Sequence, residues 1–353
     1  MKLKSIQFLR GVAVSLVVYA HSIDLQEDHS ISFQQNFYYL ENFGAIGADL
    51  FFVISGFIIS YIASEYNGIE KGCLFLRKRF LRINPPYYIA SLIQIIIFLS
   101  FTRISNDVLL NEIFDTIFLF PIWDGKESLE PILSVGWTLS FEWWFYLIFF
   151  ITISFGIKKK SLCLIIVFII ITTLGIFFAG HDTRMIFFLN PILLEFTIGI
   201  LVFNLYNTFK VNASLSYFLL LIGLIGYMLN IRLGYGEISE LNSIIIDNKG
   251  LKRTLLWGIP SGFIVMGSIY LERHDKLTKL WNNNLGLLLG NASFSIYLIH
   301  IPVFYLIAVY YKRYGFYIIP DLSILLHLCL SLVIGIFFYF WIERKLLITF
   351  NLA

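Results

Sequence analysis

The chain has 353 residues, of which 58% are hydrophobic, 36 are Phe and only 14% are charged, a composition outside the range of soluble globular domains and typical of a polytopic membrane protein. No hydrophilic block is long enough to hold a soluble domain, so one membrane-embedded domain over residues 1–353 is expected, with no appended soluble domain. The formal charge of +3 is too small to point to nucleic acid, and Cys73, Cys163 and Cys329 are scattered without a C-x-x-C pair or a histidine at ligand spacing, so they predict neither a metal site nor a disulfide.

Ten apolar segments follow one another, at about 6–23, 40–62, 86–102, 132–157, 161–180, 185–206, 214–231, 254–271, 285–311 and 320–342. Each is long enough to cross about 30 Å of hydrocarbon as a helix. The expected fold class is therefore an all-α transmembrane bundle of about ten spans. Segment 108–122 carries Glu112 and Asp115 among large apolar residues and reads as a helix lying at the interface. With the N-terminus in the cytoplasm, 16 of the 26 Lys and Arg residues fall in internal segments, which favours an even number of spans with both termini cytoplasmic. The external loop 103–130 is acidic. No fixed-period repeat or Gly/Ser- or Pro-rich linker interrupts the series.

The first segment, Ile6 to Ile23, carries Arg10 and His21. They stand eleven positions apart, hence on one helix face and about 16 Å apart along the axis. A cation in such a span costs on the order of 3 kcal/mol or more, so its presence needs a reason. Arg10 snorkelling to the cytoplasmic interface, with His21 in the outer headgroup layer, is one reading. The other makes His21 a general base in a water-accessible cavity, with Arg10 holding an anionic group.

In the second segment Asp49 lies near the outer end, ahead of the small residues Ser55 and Gly56; it reads as an interfacial or capping group, or as the counter-charge for Arg10 or His21. The internal loop 75–88, FLRKRFLRINPPYY, puts Arg79 and Arg82 on one face of a short helix that Pro85 and Pro86 end before the third span begins. Such a loop is a positive-inside signal or lipid contact, or else a phosphate clamp for a cytosolic nucleotide-bearing donor such as a coenzyme A thioester. In the fourth segment Thr138, Glu142 and Tyr146 recur every four residues as a polar stripe on an aromatic helix, with Trp137, Trp143 and Trp144 marking an interface. Glu195 in the sixth segment reads equally as a packing or a functional group. Tyr297 and His300 share a face of the ninth, where a lone histidine is more often structural than catalytic; His327 ranks below it.

Taken together these stretches resemble the acyltransferase-3 family of bacterial integral membrane O-acyltransferases. The resemblance rests on Arg10-Gly11 with His21, the G-x-D-L-F-F-V-x-S-G-F block at 47–57, Arg79-x-x-Arg82, the element from Trp137 to Tyr146 that includes Ser140 and Glu142, and the stretch from Ser293 to Pro302. Two departures stand out: Trp143 and Trp144 follow the motif glutamate, where relatives often have polar residues, and Glu343 is followed by Arg344 and Lys345 where Glu-x-Pro is common.

The resemblance implies transfer of an acyl group, usually acetyl from acetyl-CoA, to a hydroxyl of a cell-envelope or exported carbohydrate, in the cytoplasmic membrane of a bacterium. In that scheme His21 is the general base, Arg10 and Glu142 orient or polarise the site, and Arg79 and Arg82 bind the acyl-CoA phosphates; Asp49, Ser140, Tyr146, Tyr297 and His300 are secondary candidates. The partners are acyl-CoA, the carbohydrate acceptor and the bilayer, and no metal or permanently bound cofactor is expected. Succinyl or a longer acyl group stays open, as do the oligomeric state and direct transfer against an acyl relay across the membrane. The alternative from another class is a ten-span transporter or flippase with Arg10, Asp49 and Glu142 lining its path; a non-catalytic scaffold for a polysaccharide synthase is a third.

Overall fold

A computed structural model describes residues 3–29, 46–101, 113–119, 131–178, 183–235, 249–314 and 320–352. Among these residues all regular structure is helical. Helix α1 is Lys4–His29, α2 Ile46–Ile62 and α3 Ile69–Phe101; a short α4 covers 113–118; α5 is Gly136–Ser154, α6 Lys160–Phe178, α7 Thr183–Phe188, α8 Leu193–Thr208 and α9 Ala213–Arg232. Then come α10, Gly250–Arg273, with a π-helical turn at Thr254–Gly258, α11 Thr278–Trp281, α12 Asn284–Asn291, α13 Ser293–Tyr314 and α14 Pro320–Phe338, which continues through a second π-helical turn, Tyr339–Glu343, into α15 Arg344–Thr349.

Among the described residues, nine helical segments are long and apolar enough to cross a membrane. The segment at 40–62 is described as helix from Ile46 onward, 17 residues, and its first part lies outside the described residues. Most of the acidic loop 103–130, with Glu112, also lies outside them; within it, α4 is a single short helix in the segment expected at the interface.

Two expected boundaries are corrected. Pro85 and Pro86 neither end a helix nor start one: they lie inside α3, 33 residues long, so Arg79 and Arg82 stand on the same continuous helix as the third span. Proline removes one N–H but is tolerated inside a membrane helix where the surroundings take up the freed carbonyl, and the apolar run beyond it keeps the helix going to Phe101. The ninth segment is two helices, since residues 285–291 belong to α12 and the span begins at Ser293.

The chain folds as two compact units. The first comprises Met1–Ala13, Ala45–Leu76 and Trp144–Asn291. Its centre is the pairing of α2 with α8, where Gly56 and Gly199 let the two backbones meet: a Cβ on Gly56 would strike the carbonyl of Phe196, and one on Gly199 the carbonyl of Val53. The aromatic rings of α5 and α8 complete the packing, with Phe145 stacked on Phe196 at 4.5 Å between centroids. The N-terminal end of α1 is tied to the end of α10 by Glu272, which accepts from the Lys4 and Ser5 backbone N–H groups at 2.8 and 2.9 Å.

The second unit comprises Val14–Gly44, Arg77–Trp143 and Ala292–Ala353. Here α13 lies along α14, with Phe98 of α3 edge-on to Tyr305 of α13 at 4.6 Å. Ser295 of α13 donates to the buried carboxylate of Glu343 in the second π-helical turn. Near the far end of α13, Tyr311, Ser323 and His327 form a hydrogen-bonded group, with Tyr311 Oη 2.7 Å from His327 Nε2.

Candidate active site

A group of polar residues of the second unit is carried by α1, α5 and α13. His21 is half-buried, with its Nδ1 3.2 Å from the Asp24 carboxylate one turn further along α1. A carboxylate only accepts, so this contact places the hydrogen on Nδ1 and leaves Nε2 as the basic nitrogen of the neutral ring. The spacing of three residues on an unbroken helix is what makes the pair.

Opposite His21 stands His300 of α13. Its ring centroid is 5.3 Å from that of His21, with the planes 33° apart. His300 is fully buried, its Nδ1 3.2 Å from the Ile296 carbonyl one turn back. A carbonyl also only accepts, so Nδ1 is the protonated nitrogen; Nε2 has no hydrogen-bond partner among the described residues.

The line continues to α5. Tyr297 lies beside His300 with rings 5.9 Å apart, and its hydroxyl is 2.8 Å from that of Thr138. Both hydroxyls reach the Val135 carbonyl, at 3.1 and 3.0 Å. Glu142, half-buried, follows Thr138 by one turn on the same face of α5. Asp24, His21, His300, Tyr297 and Thr138 thus form a polar row that runs from the exposed Asp24 and half-buried His21 to the buried His300, Tyr297 and Thr138.

The other expected residues fall elsewhere. Ser140 is turned about 200° from Thr138 around α5 and bonds weakly back to the Gly136 carbonyl at 3.4 Å. Tyr146 belongs to the first unit, its ring edge-on to Phe75 at 5.8 Å. Arg79 is buried and Arg82 half-buried, three residues apart on α3; Arg82 and Glu343 are among the charges acting on the Tyr339 hydroxyl. Arg10 is half-buried in the part of α1 that belongs to the first unit.

Asp49 has a partner that the sequence did not single out. It is not the counter-charge of Arg10 or His21: it is fully buried and clasped by Arg253, Nε to Oδ1 at 2.8 Å and Nη2 to Oδ2 at 3.0 Å. Arg253 is 1% exposed, although it sits one residue ahead of the eighth apolar segment and looks like a loop cation. Glu195, also fully buried, is within electrostatic reach of both, and the π-helical turn brings Gly258 so close that a Cβ there would meet the Glu195 side chain at 2.8 Å. The unpaired need of Asp49 for a cation was the signal available in the sequence. Asp24 was missed as well, and its spacing from His21 was the signal there. Among the described residues no three of His, Cys, Asp and Glu come together to hold a metal ion.

These features define an integral, polytopic helical membrane protein with a histidine-centred polar row in one of its two units. Residues 3–344 match the profile of the family described as "Acyltransferase domain", acyltransferase-3, and the chain belongs to that family. It is a membrane-bound O-acyltransferase, and the transporter and scaffold readings give way to this membership. Among curated proteins it is similar to the exopolysaccharide production protein ExoZ of Rhizobium meliloti, 27% identical over 259 residues that cover 73% of this chain and 75% of ExoZ. It is also similar to the O-acetyltransferase OatA of Staphylococcus aureus, 24% identical over 302 residues, 76% of this chain and 47% of OatA, so the match spans about half of that longer relative. No solved structure matches the chain.

Proposed function

We propose that the chain acts as a single membrane-embedded domain, residues 1–353, with both termini on the cytoplasmic side of a bacterial inner membrane, and transfers an acyl group from acyl-CoA to a hydroxyl of an envelope or exported carbohydrate. Acetyl is the first donor group to test, because one relative is named an O-acetyltransferase; a polysaccharide acceptor accords with that of the other, an exopolysaccharide production protein. Both termini inside is the arrangement favoured by the distribution of Lys and Arg.

The observation that carries the proposal is the Asp24–His21 pair facing His300. An imidazole whose Nδ1–H is held by a carboxylate has its other nitrogen available as a general base. His21 Nε2 takes the proton of the acceptor hydroxyl as the oxygen attacks the thioester carbonyl. The C–S bond then breaks, and the imidazolium returns the proton to the departing thiolate. Asp24 is a positioning residue that steadies the imidazolium. Arg10 and Glu142 orient the reacting groups, and Arg79 and Arg82 hold the donor's phosphates in bidentate contacts. Acyl-CoA turnover by purified His21→Ala protein is expected to fall by about 10²–10⁴-fold, the usual share of a general base. A wild-type rate would overturn the scheme.

A further inference from the structure

The first unit holds a cavity of about 340 Å³ that the transfer chemistry does not use. It lies where the end of α2, the end of α5 and the later turns of α8 meet the start of α6. Its rim is cationic: Lys158, Lys159 and Lys160 all line it, the first two exposed and the third half-buried, with Lys160 Nζ anchored on the Tyr66 carbonyl. Lys160 also opens α6, a helix of 19 residues, so the positive end of its dipole and the N–H groups of its first turn lie at the same wall.

A second observation points to a ligand. Ser60 lines the cavity and is 2% exposed, yet its Oγ has no hydrogen-bond partner among the described residues. A buried hydroxyl left in that state calls for an explanation. Ser161 and Asn204 add further hydrogen-bonding groups on the lining. No carboxylate is on it; Glu65, next to Ser64, is exposed and lies outside the lining. The remaining wall is apolar, chiefly Phe149 and Phe203.

Three ammonium groups, a helix N-terminus and an unsatisfied buried hydroxyl around a space of this size are complementary to one chemistry. We infer that the cavity is a binding site for a phosphate-bearing anion, separate from the donor site proposed on Arg79 and Arg82. The apolar wall accommodates the body to which the phosphate is attached. Two sources present that chemistry: the headgroup of an anionic phospholipid, which basic pockets between membrane helices are suited to hold, and a soluble organophosphate.

The test uses the full chain in neutral detergent. Native mass spectrometry compares retention of phosphatidylglycerol with that of phosphatidylcholine, and thermal-shift titration with inorganic phosphate and adenosine 3′,5′-bisphosphate covers the soluble source. Selective retention of phosphatidylglycerol assigns the site to lipid; stabilisation by the soluble phosphates alone assigns it to an organophosphate. In either case Lys158→Gln with Lys159→Gln is expected to weaken binding at least about tenfold, and Ser60→Ala by about three- to tenfold. Equal retention of both lipids without any soluble binding overturns the inference. So does unchanged binding by variants whose elution profile and circular dichroism match wild type.

Discussion

The imidazole of His300 lies 5.3 Å from that of His21, and the two histidines come from helices nearly 280 residues apart in the chain. His300 is held from behind by the Ile296 carbonyl and flanked by Tyr297 and Phe304, so its ring is a fixed wall against which His21 is set. His300→Phe keeps a ring of similar shape and removes both nitrogens. It is expected to lower acyl-CoA turnover by about tenfold, clearly less than His21→Ala, because a positioning loss falls short of losing the general base. Steady-state kinetics on the two purified variants, side by side, checks the order.

Asp24→Asn keeps the side-chain volume but removes the charge that holds the His21 Nδ1–H. Expected is a fall in kcat of about 10-fold or more with little change in KM for the donor, since in the proposed scheme the contact stabilises the imidazolium formed during transfer. Equal effects on kcat and KM would instead indicate a general loss of structure.

The arginines proposed to hold the donor make a contrasting prediction. Arg82→Ala is expected to raise KM for acyl-CoA by about tenfold or more while sparing kcat, and Arg82→Lys to restore little, because a point charge does not replace a planar two-pronged donor. Titration with acetyl-CoA and with a thioester lacking the nucleotide separates the cases: the truncated donor should not distinguish Arg82→Ala from wild type.

Asp49 and Arg253 should behave as a buried ion pair. Arg253→Met leaves the Asp49 carboxylate buried beside Glu195 without its cation, at an expected cost of about 3–5 kcal/mol, whereas Asp49→Leu combined with Arg253→Met should recover most of it. Thermal unfolding in detergent, as a double-mutant cycle, measures the coupling.

The α2–α8 contact offers a prediction about packing. Gly56→Leu drives a side chain into the Phe196 backbone carbonyl, which cannot yield without parting the helices. Loss of folded protein, or destabilisation beyond the about 1–3 kcal/mol of ordinary overpacking, is expected from yield and melting temperature.

Much of the fold was legible because spans are local: a run of some twenty apolar residues closes its own backbone hydrogen bonds, and bilayer thickness fixes its length. Each of the ten apolar segments contains a described helix. The errors came where local rules met their surroundings. Pro85 and Pro86 usually end a helix in water, yet α3 runs through them; and the stretch from Leu285 divides between α12 and α13.

The site was legible in its parts and not in its assembly. By itself the sequence determined that costly polar groups sit in apolar spans, because the price of burying Arg10, His21, Asp49 or Glu142 can be read from composition alone, and their motifs determined the family. Only the tertiary structure decided their partners: Arg253 for Asp49, His300 and Asp24 for His21, Thr138 for Tyr297, and an aromatic core for Tyr146. Helical periodicity fixes which face a side chain occupies, but not which helix lies opposite, and pairing between distant helices is set by the packing of the whole unit.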